Sequence, residues 1–466
     1  MIDDRRLRWK RKLGMTEMPR DNTLWIAQRE GQDWRDEDVL AGVGWLRSLV
    51  PSAEWADREA AVEMRFQAAK REWAQGRRVP LFDPEDAIAW YVHQATRYAD
   101  PALRPDFFLP EGYRIAPLFK RIGQLRDALI GIEGGEARAA RLMTENTAQP
   151  DDSIYELLVA GAYARRGWAT VRFVPETPGV GKRHDLMVER PGEGWGVECK
   201  RSGRSGYARD ERLAGERMAD GAHALSRRAG RPLIVLARFR EELHTLGDDY
   251  LAARVGYFLN AVGPYEWDDE GGEGMVADVD WTRLHSVMVE DDIYFGSSRM
   301  VELLLGSYEP AVDFTMAGDW TPADGRPLHA EWVDHLSLVG WRSVSDEAAR
   351  RKSMHFRGLV AKASTQLPGD RPGAIHVGYE GVGGNSEDGR RHELNRREMA
   401  SFEPGRTGLR MVYGNYFMPE LVTSRNESAA VSETLAWYPV GRGGVRDPLP
   451  GHMLFMDEDG RPGSHL

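Results

Sequence analysis

The run at 151–201, DDSIYELLVAGAYARRGWATVRFVPETPGVGKRHDLMVERPGEGWGVECKR, constrains the chain more than any other stretch. Its first part reads as a helix. Ser153 offers an N-cap, an almost unbroken apolar run extends to Ala164, Arg165 and Arg166 fall in the last turn, and Gly167 stops it. Glu156 is the only charge inside that run, and at helical spacing its neighbours are Val159, Ala160 and Tyr163. A carboxylate on an apolar face costs on the order of several kcal/mol unless a cation or hydrogen-bond donors answer it, so Glu156 needs a reason to be there.

Extended segments follow. Residues 168–174 are rich in β-branched and aromatic side chains, 175–181 form a turn, and 185–189 read as a short strand closed by Pro191 and Gly192. In the next strand, 194–201, alternation puts Glu198 and Lys200 on one face and Trp195, Val197 and Cys199 on the other. Trp195, Val197 and Cys199 read as core-facing, which directs Glu198 and Lys200 outward, toward whatever Asp185 faces.

An Asp, twelve residues, then Glu-X-Lys on a strand, all after a helix with one embedded Glu, resembles the PD-(D/E)XK nuclease superfamily. Asp185, Glu198 and Lys200 match the D and the E-X-K, and Glu156 matches the helical Glu that many members carry; His184 stands where the motif has Pro. The resemblance covers 151–239. It implies an α/β fold with a restriction-endonuclease-like mixed sheet core flanked by helices. Downstream, a Gly- and Arg-rich link at 202–206, a polar helix at 207–229 and an apolar strand at 232–239 supply the helix-then-strand order such a core requires. A right-handed crossover would set that last strand parallel to its partner.

The chemistry follows from the residues. Two carboxylates on adjacent strands, Asp185 and Glu198, make a hard-oxygen site for Mg2+ or Mn2+, with the backbone carbonyl of Cys199 as a further ligand and Glu156 completing the shell through water. Lys200 would orient or deprotonate the attacking water and offset transition-state charge. An isolated Glu-X-Lys is common on exposed strands as a weak solvated pair. Here it stands in a full constellation, and one of only eight lysines, against fifty-four arginines, falls where the motif demands it. Two functions are expected from this: a magnesium-dependent endonuclease hydrolysing phosphodiester bonds, foremost in DNA, in restriction, repair or defence; or a catalytically inactive nuclease-fold module that binds nucleic acid or a protein partner.

Composition bounds these expectations. A formal net charge of −11 argues against a nonspecific nucleic-acid coat. A local basic rim is still available in Lys182, Arg183, Arg201 and Arg204, which cluster around the proposed site and are the candidate nucleic-acid contacts, with solvated loops as the alternative. Cys199 is the single cysteine, which rules out an internal disulfide framework and a Cys-based zinc site and points to a reducing compartment. The N-terminus has basic residues at 5–12 without an apolar stretch, and 233–237 is too short to span a bilayer, so a cytoplasmic protein with no membrane partner is expected.

At 466 residues the chain should hold two or three domains. We expect an N-terminal helical arm (1–147), the nuclease-like core (148–245) and an α+β C-terminal region (246–466), with a homodimer or protein contact made through the outer regions. The arm shows helical spacing at 36–49, 56–75, 84–98 and 116–130, and tryptophans at 25, 34, 45, 55, 73 and 90 that read first as helix-packing aromatics and second as base-stacking platforms. The C-terminal region suggests helices at 248–261, 345–367 and 391–401, strands at 285–289, 374–379 and 409–417, and an acidic linker at 266–273. Three features there read as non-functional: His329, Glu331 and His335 are too far apart for one metal, Gly378, Gly381, Gly383 and Gly384 lack a following Lys-Ser/Thr, and Glu290, Asp291 and Asp292 form an acidic turn.

Overall fold

The computed structural model describes residues 24–26, 36–74, 79–100, 102–103, 107–175, 183–202, 206–261, 263–306, 312–324, 326–380, 384–421, 429–441, 446–450 and 453–455. In chain order they form strand β1 (Leu24–Ile26) and helices α1 (Asp36–Ser48), α2 (Ser52–Ala74), α3 (Ala87–Ala99), α4 (Leu109–Gly131), α5 (Gly135–Thr144) and α6 (Pro150–Arg165). Next come β2 (Thr170–Phe173), β3 (Leu186–Arg190), β4 (Glu193–Ser202), α7 (Gly206–Ala229), β5 (Leu233–Phe239), α8 (Tyr250–Leu259), β6 (Tyr265–Asp268), β7 (Gly272–Asp278), α9 (Thr282–Met288), β8 (Ile293–Tyr294) and α10 (Ser298–Leu305). The chain continues with β9 (Asp313–Ala323), β10 (Arg326–Ser343), α11 (Asp346–Ser364), β11 (Gly373–Glu380), α12 (Gly384–Ala400), β12 (Leu409–Leu421) and β13 (Ala429–Pro439).

Two mixed sheets result, in keeping with the expected α/β class. One runs β1-β13-β12-β11-β4-β3-β2; the other runs β6-β7-β5-β10-β8, with β9 paired to β10. The first belongs to a compact unit built from Arg20–Gly203, Phe356–Gly381 and Asn395–Leu466. The second belongs to a unit whose described residues fall within 206–355 and 384–394. In the first sheet β2, β3 and β4 form an antiparallel meander, with Leu186 opposite Val197, while β11 lies parallel to β4, Cys199 beside His376, and β12 parallel to β11.

The expectation that the helix and strand directly after Lys200 complete this sheet is not met. The strand at 233–239 pairs instead with β7 and, in parallel, with β10. The strand beside β4 is β11, which follows α11, so the helix-then-strand order is supplied after an excursion through 204–355. α11 packs on the first sheet, with Phe356 against Tyr379 and Tyr438.

α6 is buried nearly all round, as its sequence demands, because α4 and the sheet take its two sides. Two glycines permit this. A Cβ on Gly161 would stand 2.6 Å from Leu125 of α4, and one on Gly378 of β11 would stand 2.7 Å from the Tyr155 ring. Pro150, not Ser153, opens the helix; Ser153 is buried inside it and accepts a hydrogen bond from Asn146 Nδ2 at 3.1 Å. A single hydrophobic cluster joins α1–α6 to the sheet and includes Trp45, Trp55 and Trp90, so the N-terminal helices form one core with it and those tryptophans are packing residues. Trp34 and the basic residues at 5–12 lie outside the described residues.

In the other unit, 285–289 lies mostly in helix α9, not in a strand: Leu284 and Met288, four apart, are buried together, and helical spacing overrides the local β propensity. The expected acidic linker at 266–273 is the β6–β7 hairpin, whose acids are answered by Arg240 at Asp268 (2.7 Å), Arg254 at Asp269 and Arg238 at Glu273 (2.9 Å).

Candidate active site

β3 and β4 set the site. Asp185, the residue before β3, donates its N–H to Val197 O at 3.0 Å, and its Oδ2 accepts the Cys199 N–H at 2.7 Å. In a strand the N–H and C=O of one residue point to the same side, which sends the Cys199 carbonyl past the start of β3 on the Asp185 edge. Cys199 itself packs inward with Trp195 and Val197, and burial, followed by the neighbouring carboxylates, pushes its thiol well up. It is an inert core thiol.

Glu198 and Lys200 share the opposite face, as alternation requires. Lys200 Nζ pairs with Glu198 Oε1, while Glu198 Oε2 is buried with no hydrogen-bond partner. The sequence directs Glu198 outward; its side chain is in fact 0% exposed, on the sheet face where Tyr379 of neighbouring β11 packs against Phe356 of α11. Burial, then the charge on Asp185, pushes the Glu198 carboxyl up to about 8. Burial pulls the Lys200 ammonium down, but Glu198 and Asp185 outweigh it and the net shift is upward.

Glu156 comes in from α6 and is met by a residue the sequence reading passed over. Arg138 of α5 sets Nε 2.7 Å from Glu156 Oε2 and Nη2 3.5 Å from Asp185 Oδ1. Even so, burial and then Asp185 push the Glu156 carboxyl up to about 8. Burial also raises Asp185, against the Cys199 N–H, Lys200 and Arg138. Asp152, one turn earlier on α6, is raised as well, by desolvation and then by Asp151, with Arg201 and Lys200 opposing. A signal for Arg138 exists in the sequence: after Gly134-Gly135 it falls on the same helical face as Leu142, where a charge, like Glu156, must have a partner.

Glu156, Asp185, Glu198 and Lys200 are therefore brought together in one electrostatically coupled group. Of the rim, Arg183 is exposed; Arg201 lies over the Phe417 ring at 5.3 Å; Lys182 and Arg204 lie outside the described residues. His184 is buried against the Gly196 position, with its pKa lowered by burial.

Among the described residues no three His, Cys, Asp or Glu side chains are gathered to hold a metal ion as they stand, and Arg138 and Lys200 pair with Glu156 and Glu198. The donor chemistry nevertheless suits a hard divalent cation: carboxylate oxygens only, two of them, Glu156 Oε2 and Glu198 Oε2, buried without a hydrogen-bond partner. Elsewhere His329 bonds Arg326 (2.8 Å) and His335 bonds Ser226 (3.2 Å), so they share no site. Asp291 and Asp292 are paired with Arg299 (3.2 Å) and Arg326 (2.5 Å). Gly378 lies in β11 and Gly384 opens α12, while Gly381 and Gly383 are outside the described residues. No helix among the described residues is long and apolar enough to cross a membrane. No protein-family model, curated protein or solved structure matches this chain.

Proposed function

We propose that the chain is a metal-dependent nuclease that hydrolyses phosphodiester bonds, foremost in DNA, on a restriction-endonuclease-like core. The observation that carries this reading is the meeting of Glu156, Asp185, Glu198 and Lys200 from one helix and two neighbouring strands, with carboxyl pKa values raised by crowding and burial. The order helix, three antiparallel strands, helix, parallel strand (α6, β2, β3, β4, α11, β11) supports the core assignment. Asp185, Glu198 and the Cys199 carbonyl would hold Mg2+ or Mn2+, which neutralises charge on the phosphate and lowers the pKa of a bound water.

The chain's own groups do the rest. The Cys199 N–H fixes the orientation of Asp185. Glu198 and Asp185 favour the charged form of Lys200 against the pull of burial, and as an ammonium it orients the water and offsets phosphate charge. Glu198, which holds Lys200 through Oε1, keeps that ammonium in place.

A second reading, a module that binds nucleic acid or a protein without cleaving, draws on the engagement of both Glu156 and Asp185 by Arg138. The two separate in one assay: incubate the purified protein with supercoiled, linear and single-stranded DNA and with RNA, in Mg2+ or Mn2+. The nuclease reading expects cleavage of at least one DNA that chelator abolishes. Binding without cleavage under every condition would replace it with the second reading.

A further inference from the structure

Arg138 is built into the site with more care than a surface arginine receives. Gly134, at φ +81°, lets the start of α5 close on β2, where a Cβ would meet Phe173 Cβ at 3.1 Å. Glu133 O accepts the Phe173 N–H at 2.9 Å, and the Arg138 N–H donates to Gly134 O at 2.9 Å, locking the first turn of α5 against the strand. The guanidinium then lies over the Phe173 ring at 5.4 Å, its side chain 8% exposed, with separate nitrogens directed at Glu156 and Asp185.

We propose that Arg138 takes the place of a second metal ion: it neutralises the Glu156 side of the site permanently, so that the site binds a single divalent cation on the Asp185 and Glu198 side. This rests on the nuclease reading above. Charge supports it. Once a bound cation has driven the carboxyls to ionise, three carboxylates, Glu156, Asp185 and Glu198, face two resident cations, Arg138 and Lys200; one divalent ion then leaves a single positive charge facing a phosphate, whereas two would leave a strong excess. Geometry supports it too, since a guanidinium with Nε 2.7 Å from Glu156 and Nη2 3.5 Å from Asp185 sets one fixed cation between the two carboxylates, without the freedom to leave. Arg138 is thus a positioning residue, acting through Glu156 and Asp185.

The test is the number of Mn2+ ions bound per chain, read by electron paramagnetic resonance of the free ion during titration, with circular dichroism as the check on folding. The wild type is expected to bind one ion. Arg138→Gln, which frees the Glu156 side, is expected to bind two. The double variant Arg138→Gln/Glu156→Gln removes both partners together, leaves no unanswered carboxylate there, and is expected to bind one. Two ions in the wild type, or one in a folded Arg138→Gln, would overturn the proposal and leave the nuclease reading standing. No ion in the double variant would make Glu156 a metal ligand and overturn it as well. No ion in the wild type would remove the metal-dependent reading, and the proposal with it.

Discussion

Raising the pH in the presence of chelator should weaken the fold, which is the reverse of the usual behaviour of paired carboxylates. In the folded chain Glu156 and Glu198 titrate at about 8, pushed up by burial and by Asp185, whereas an unfolded glutamate titrates near 4.3. Between these limits the native state holds a proton that the unfolded state has lost, so stability falls as pH rises. Because Glu156, Asp185 and Glu198 crowd one another, we count one proton for the group. That gives a slope of about 1.4 kcal/mol per pH unit, or roughly 3 kcal/mol between pH 5.5 and 7.5. The assay is urea denaturation in EDTA across that range, for wild type and Glu198→Gln. The wild type should lose about that much stability, the variant markedly less, and Mg2+ should restore the wild type at the upper end. Stability that rises with pH in EDTA, or an identical slope in Glu198→Gln, would show that these carboxyls do not hold the proton in the folded chain.

Three further expectations follow from the packing and from the site. Gly378→Val forces a branched side chain onto Tyr155, whose hydroxyl bonds Asn415 Oδ1 at 2.8 Å, and should cost about 1–3 kcal/mol in chemical denaturation. His223, bonded to Ser337 Oγ (2.6 Å) and Thr315 Oγ1 (2.9 Å), has its pKa lowered by burial to about 4, so NMR should find it neutral at pH 5.5, and its contribution to stability should fade as acid is added below the unfolded value near 6.5. Calorimetric titration with Mg2+ should show binding that Asp185→Ala abolishes; unchanged binding in the variant would move the metal site elsewhere.

What could be read from residue order was whatever local periodicity determines. The helix around Glu156 and the strands carrying Asp185, Glu198 and Lys200 lie within a few residues of their expected bounds, because amphipathic spacing and turn residues act over short distances. Strand partnership does not. β5 follows β4 closely and reads as a core strand, yet β11, starting at Gly373, takes the place beside β4, and nothing in the apolar run at 233–239 distinguishes the two. Arg138 escaped for a related reason: its partners Glu156 and Asp185 come from a helix and a strand start that only the tertiary fold brings beside α5. The charged hairpin at 265–278 was hidden by its own acids, which cross-strand and neighbouring arginines neutralise.

The central claim is tested most directly by Lys200→Ala, assayed beside wild type on the DNA that wild type cleaves best in Mg2+ or Mn2+, with circular dichroism recorded on both. Lys200 is partly exposed at the site and adds little packing, so its fold should be kept while the cleavage rate falls by about a hundredfold or more, the usual loss for one electrostatic group aimed at transition-state charge. Cleavage undiminished in the variant, or wild type that cleaves no nucleic acid under any of these conditions, would contradict the account.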